Sequence, residues 1–231
     1  MDYHDISENA VDPDYYDSGE LATGYAEMEL YNRPNPFLTY YFRSALKMGI
    51  VKSQFLRVNL QANIYYKFTK KYKAKLRIWA GGFLDTSDLP LQYLTYLSGN
   101  IDPDFHNGYI FNRTPEVNDA SVGIRQYDIG GPSVHGLMLN NGKMKGVDDW
   151  VISANFEMNI PKIPGKPFMD VVIIPGGESY FDFGLKKSFG PLSIIMPLYQ
   201  SWDETPFAAD TDWILDRLRF SLTLSDFNTR S

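Results

Sequence analysis

Residues 57–68, RVNLQANIYYKF, alternate in character almost without a break. Leu56, Val58, Leu60, Ala62, Ile64, Tyr66 and Phe68 take one set of positions, and Arg57, Asn59, Gln61 and Asn63 take the other. Successive side chains of an extended chain point to opposite sides, so the pattern predicts a β-strand with one apolar and one polar face. The same period recurs upstream. In LATGYAEMELYN, Ala26, Met28 and Leu30 oppose Tyr25, Glu27, Glu29 and Tyr31, and in FLTYYFRSALKMG, Leu38, Tyr40, Phe42, Leu46 and Met48 oppose Thr39, Arg43 and Lys47. YKAKLRIWAGGFL sets Tyr72, Ala74, Leu76, Ile78 and Ala80 against Lys73, Lys75 and Arg77. Downstream, WVISANFEMNIP sets Ile152, Ala154, Phe156, Met158 and Ile160 against Ser153, Asn155, Glu157 and Asn159.

FMDVVII is short and mostly apolar, ESYFDFGLKKSFG and PLSIIMPL predict a hairpin about Gly190-Pro191, and DRLRFSLTL closes the series. In that last strand Leu218, Phe220, Leu222 and Leu224 oppose Arg217, Arg219, Ser221 and Thr223. The pattern therefore predicts an all-β chain of about nine antiparallel strands and no helix. RPNP, residues 33–36, reads as a tight connection because its prolines cannot donate to a ladder. Residues 1–20 read as a flexible acidic leader and residues 21–231 as the β-domain. Between about 85 and 144 neither period survives, and a loop of that length is usually functional.

Alternation leaves open which face looks inward. A soluble sandwich or lipocalin-like barrel would turn the apolar face to a core, whereas a transmembrane β-barrel would turn it to lipid and line its lumen with the polar face. Three features favour the membrane. The predicted strands are longer than is usual in soluble sheets. Tyr, Trp and Phe crowd their ends, as at Tyr40, Tyr65, Trp79, Trp150, Tyr199 and Trp213, and short turns alternate with longer loops. On that reading Leu60, Ile64, Ala74, Ile78, Phe156, Leu218 and Phe220 face lipid. Arg57, Asn59, Asn63, Lys73, Lys75, Arg77, Asn155, Glu157, Arg217 and Arg219 face the lumen.

Composition narrows the chemistry. Aromatic residues make up 15% of the chain, and a mean hydropathy of −0.30 with no long apolar run leaves no spanning helix. The absence of cysteine removes disulfides, thiolate metal sites and cysteine nucleophiles, and a net charge of −6 argues against a nucleic-acid partner. His4, His106 and His135 are far apart, and there is no metal-binding His pair, nucleophile elbow or phosphate loop. No catalytic residue, metal ligand or cofactor is expected in this chain.

The stretch YFDFGLKKSFGPLSIIMPL resembles the closing strands of the BamA/TamA/FhaC superfamily of outer-membrane assembly and secretion barrels, the bacterial surface antigen type. Gly184, Leu185, Phe189, Gly190, Pro191, Leu192, Pro197 and Leu198 follow that family's order. Asn155, Glu157 and Pro161 resemble its Asn/Glu-rich strand, and Phe168 and Asp170 match its Phe-x-Asp motif. The likeness covers about 80 residues, and the long loop takes the place of the family's inward-folding sixth extracellular loop. In the family an Arg at the loop tip meets the Asp of the Phe-x-Asp strand. The nearest match is IRQYD, giving Arg125 and Tyr127, with Gln126 where the family has glycine and Arg113 as a rival. The resemblance implies a loop lock of Arg125, Tyr127, Phe168 and Asp170, with Glu157 as a second acceptor.

It also implies a bacterial outer-membrane location and about nine C-terminal strands of a 16-strand barrel. The missing strands or upstream domains of the same protein, lipid, and client outer-membrane or secreted polypeptides would be its partners. The function implied is membrane-protein insertion or polypeptide translocation. Two alternatives stand beside it: the same barrel as anchor for an upstream peptidase or phosphoesterase, as in Bacteroidota-type fusions, and a soluble β-barrel binding a small apolar ligand.

Overall fold

A computed structural model describes residues 2–6, 19–51, 54–69, 71–96, 123–124, 131–132, 134, 146–174, 176, 179–190, 192–201 and 218–222. Its strands are β1 (Asp2–Ile6), β2 (Gly19–Asn35), β3 (Leu38–Val51), β4 (Gln54–Lys67), β5 (Lys73–Asp88), β6 (Thr95–Tyr96) and β7 (Gly123–Ile124). They continue with β8 (Gly146–Val147), β9 (Val151–Met158), β10 (Lys166–Ile173), β11 (Ser179–Phe189), β12 (Leu192–Gln200) and β13 (Arg219–Leu222). A single 3₁₀ turn, Leu91–Tyr93, is the only helical element among the described residues. The fold is all-β.

Eight long strands, β2 to β5 and β9 to β12, pair antiparallel in one sheet. The short strands β1 and β13 extend it at either side, and β7 runs parallel to β13. Among the described residues no ladder joins the two outer strands. β6 and β8 form a separate pair within the long connection from β5 to β9.

Several elements differ from the sequence expectation. Asp2–Ile6, expected in a flexible leader, pair with Gly19–Thr23. β2 runs through Arg33 and Pro34 to Asn35 and not into a turn at RPNP. Its far edge is free there among the described residues, so Pro34 forfeits no ladder bond on that side, and the register slips between Asn32 and Asn35. The turn itself is made by Asn35, whose Oδ1 accepts from the N–H groups of Phe37 and Leu38, both at 2.9 Å. The hairpin at Gly190 forms as expected, with Gly190 at φ 60° supplying the left-handed residue.

Connections differ between the two ends of the sheet. One end carries only the short turns 36–37, 68–72, 159–165 and 190–191, and the other carries the longer connections 89–150 and 201–218 besides the short ones 52–53 and 174–178.

One face of the sheet buries polar and charged side chains beside two apolar clusters, and the other exposes large apolar ones. Along β4, Phe55, Arg57, Gln61 and Asn63 are buried, while Leu60 and Tyr66 between them are exposed. Lys47, Arg77, Ser153, Asn155, Asp170, Asp182 and Gln200 are buried on that same face of the other strands. Met28, Leu30, Leu46, Met48, Ile78, Ile152, Met169, Ile173 and Phe183 are exposed on the opposite face. Ala74 also lies on the open face but is buried, with Tyr66 and Met158 as its register partners. Ile64 and Phe156 are partly covered there.

Gly81 and Gly82 let two indoles approach the β5 backbone closely, one on each face. A Cβ on Gly81 would strike the Trp79 ring, and one on Gly82 would strike Trp150.

Candidate functional site

The ladder registers place Tyr41, Asn63, Arg77, Asn155, Asp170, Asp182 and Gln200 side by side across seven strands. This polar row spans the covered face, and Asp170 and Asp182 within it are fully shielded. Charged groups taken from water need partners, and the row supplies them to Arg77 and Asp170. The Arg77 guanidinium donates to Gln61 Oε1 at 3.0 Å and to Asn155 Oδ1 at 2.9 Å. Asn155 passes the chain on, its Nδ2 donating to Asp170 Oδ1 at 3.0 Å. Arg77 and Asp170 are thus joined through one amide, each bond polarising the next.

Arg77 also reaches away from the wall. It donates to the main-chain oxygens of Gly131 at 2.6 Å and Pro132 at 3.4 Å. Those residues belong to the long connection, so this part of it lies against the polar face. Val134 follows into an apolar cluster with Trp79, Val147, Val151, Val172, Ile174 and Tyr180. Hydrophobic side chains and an arginine therefore clamp the same short segment.

A second arginine repeats the arrangement. Arg57, with no exposed surface, donates to the Tyr93 main-chain oxygen and to Thr95 Oγ1, each at 3.3 Å. Tyr93 packs on Phe55 with ring centroids 4.9 Å apart, and the Lys47 ammonium lies 4.4 Å from the Tyr93 ring centre. Phe83 and Leu89 complete this cluster, and the Arg57 guanidinium lies 5.5 Å from the Phe83 ring centre.

Other charges of the covered face pair along the wall. Lys186 Nζ meets Glu157 Oε1 at 2.7 Å. Arg43 meets Glu27 at 2.5 Å, and Glu29 accepts from the Tyr41 hydroxyl. Phe168 is buried with its ring tip 2.8 Å from where a Gly184 Cβ would stand, so glycine is required for that contact.

Of the residues singled out from sequence, Arg125, Tyr127 and Arg217 lie outside the described residues. Arg219 is in β13, with its side chain outside the description. Asp170 and Phe168 are buried on the covered face, and Glu157 has Lys186 as its ion-pair partner. Arg57, Asn63, Arg77 and Asn155 are buried there, Asn59 and Lys75 are partly covered, and Lys73 is exposed at the start of β5. The loop segments 93–95 and 131–134 were not singled out. Glycine and proline at 131–132 signalled only a turn, and their use as main-chain acceptors is invisible in side-chain identity.

Among the described residues no group of acidic and His side chains could hold a metal ion, and no helix is long and apolar enough to cross a membrane. No protein-family model matches the chain, and no curated protein matches it in sequence.

Proposed function

We propose that this chain is the C-terminal barrel region of an outer-membrane assembly or secretion protein, acting in membrane-protein insertion or polypeptide translocation. The observation that carries the reading is the division between the two faces of the sheet: arginines, carboxylates and amides are shielded on one face, and large apolar side chains stand exposed on the other. A contiguous apolar surface of that extent is unfavourable in water and matched to lipid. The sequence resemblance of the last third supports the family, and the clamped residues Gly131, Pro132 and Val134 support reading the long connection as an inward-folding loop. The edge of β2 from Gly24 to Asn35 has no ladder partner among the described residues. In a bilayer such an edge must be paired, which further strands of a larger barrel would do.

One observation favours the anchor reading as a second choice. The covered face is occupied by the chain's own residues Tyr93–Thr95 and Gly131, Pro132 and Val134, which a membrane anchor tolerates and a conduit would have to displace.

The test has two stages. Spin labels at Leu60, Ile78, Ile152 and Phe183 in lipid vesicles should collide with oxygen, and labels at Asn63 and Ser153 should not. The opposite result overturns the membrane reading. Vesicles carrying the protein should then speed the insertion of an unfolded outer-membrane protein over empty vesicles. Lipid-facing labels without any acceleration would leave the anchor reading in place of the assembly one.

A further inference from the structure

Basic side chains gather at the short-turn end of the covered face. Lys67 of β4 stands directly opposite Lys73 of β5, and Lys166 of β10 directly opposite Lys186 of β11. Like charges placed directly across a ladder repel and destabilise the pair. Lys75 adds a fifth ammonium, 5.9 Å from the Tyr65 ring centre, and it stands directly opposite Glu157 of β9. Glu157 is already bonded to Lys186. Among the described residues at this end of the covered face, Glu157 is the only carboxylate facing these five lysines.

The residue positions say what the occupant is. All five lysines have the parity of Arg57, Arg77, Asp170 and Asp182, so they point to the covered side and away from the open apolar face. Lipid headgroups lying against the open face do not reach them. The lysines are spread over β4, β5, β10 and β11 with β9 between, four strand spacings or about 19 Å. That is too wide for one compact oxyanion and matches about six residues of extended polypeptide. Lysine offers mobile point charges and not a planar fork, which suits a run of carboxylates whose exact positions vary.

We infer that the short-turn end of the covered face is a docking rim for an acidic polypeptide segment of a soluble domain or partner. The rim draws the segment in by charge and keeps its lysine–lysine pairs at a cost in stability. The inference takes from the membrane reading only which face meets lipid.

The experiment uses the full chain in zwitterionic detergent micelles and a fluorescein-labelled glutamate-rich peptide, read by anisotropy. Binding should be saturable at low ionic strength and weaken steeply with salt. The variant Lys67→Gln/Lys73→Gln/Lys166→Gln should weaken binding by roughly tenfold, three charge contacts of ordinary strength together. The single Lys73→Gln and Lys166→Gln variants should melt at higher temperature than the parent, because each removes a repulsive pair. Lys187→Gln, at the same end but on the open face, should bind like the parent. Absence of peptide binding by the parent, equal binding by the triple variant, or lower melting of both single variants would overturn the inference. So would displacement of the peptide by anionic phospholipid vesicles from the parent and not from the triple variant, which would make lipid the occupant. These outcomes are separate from the spin-label result, since the peptide is read in micelles whichever face meets lipid.

Discussion

Arg77 donates to the main-chain oxygen of Gly131 at 2.6 Å, so a side chain of the sheet holds the loop by its backbone. The family resemblance implies the reverse polarity, a loop arginine reaching a wall carboxylate. A main-chain acceptor places no demand on the identity of the loop residue, and Arg57 uses the same device on Tyr93. Two wall arginines thus tie down two points of a connection that carries no long ladder of its own among the described residues.

Removing the Arg77 guanidinium should release the 131–134 segment. A hydrogen bond to a charged group is worth about 1.5–3 kcal/mol, and the loss is partly offset because a charge no longer has to be buried. Arg77→Ala should therefore cost about 2–4 kcal/mol, and Arg77→Lys less. Limited proteolysis should show new cleavage within 125–135 in Arg77→Ala alone. An unchanged digestion pattern would show that the apolar cluster around Val134 suffices.

Arg57 and Arg77 share no hydrogen-bond partner among those shown here, and their register partners lie six residues apart along the same pair of strands. That separation is about 20 Å, well beyond the range of direct coupling. Arg57→Ala and Arg77→Ala should therefore add in their effect on the unfolding midpoint to within about 0.5 kcal/mol. A strongly sub-additive double variant would show that the two segments leave the sheet together.

Ile78 on the open face separates the membrane reading from a soluble one. In a bilayer Ile78→Arg should cost about 2–4 kcal/mol if the residue lies near the midplane. On a soluble protein an exposed Ile→Arg change is close to neutral. Folding titrations of Ile78→Arg and its parent in lipid vesicles give the difference directly, and a near-zero value would count against lipid contact there.

Gly184→Ala should be more damaging than Gly165→Ala. The added methyl would strike the Met196 main-chain oxygen as well as the Phe168 ring, and main chain cannot step aside. Gly165→Ala meets its nearest atom, the Lys186 main-chain oxygen, at 3.1 Å and should be milder. The order Gly184→Ala worse than Gly165→Ala, by about 1–3 kcal/mol in denaturant, checks the packing. Trimming Phe168 to Leu in the Gly184→Ala background should recover little, because the backbone clash persists.

Strand identity was carried by the chain itself. In β3, β4, β5 and β9 the period of two follows from stereochemistry alone, so the split of Leu60 and Ile78 from Asn63, Arg77 and Asn155 could be read residue by residue. The Gly190 hairpin was legible for the same local reason, a left-handed residue between two alternating runs. Alternation is symmetric, however, and does not say which face is covered. That was decided by the segments 93–95 and 131–134, which come from far along the chain and shield Arg57 and Arg77. The row from Tyr41 to Gln200 is likewise a product of registers, since its members belong to seven strands. The arginine lock escaped the sequence because its acceptors are carbonyl groups, which every residue possesses. Only the ladders and the path of the connection could bring particular carbonyls to Arg77.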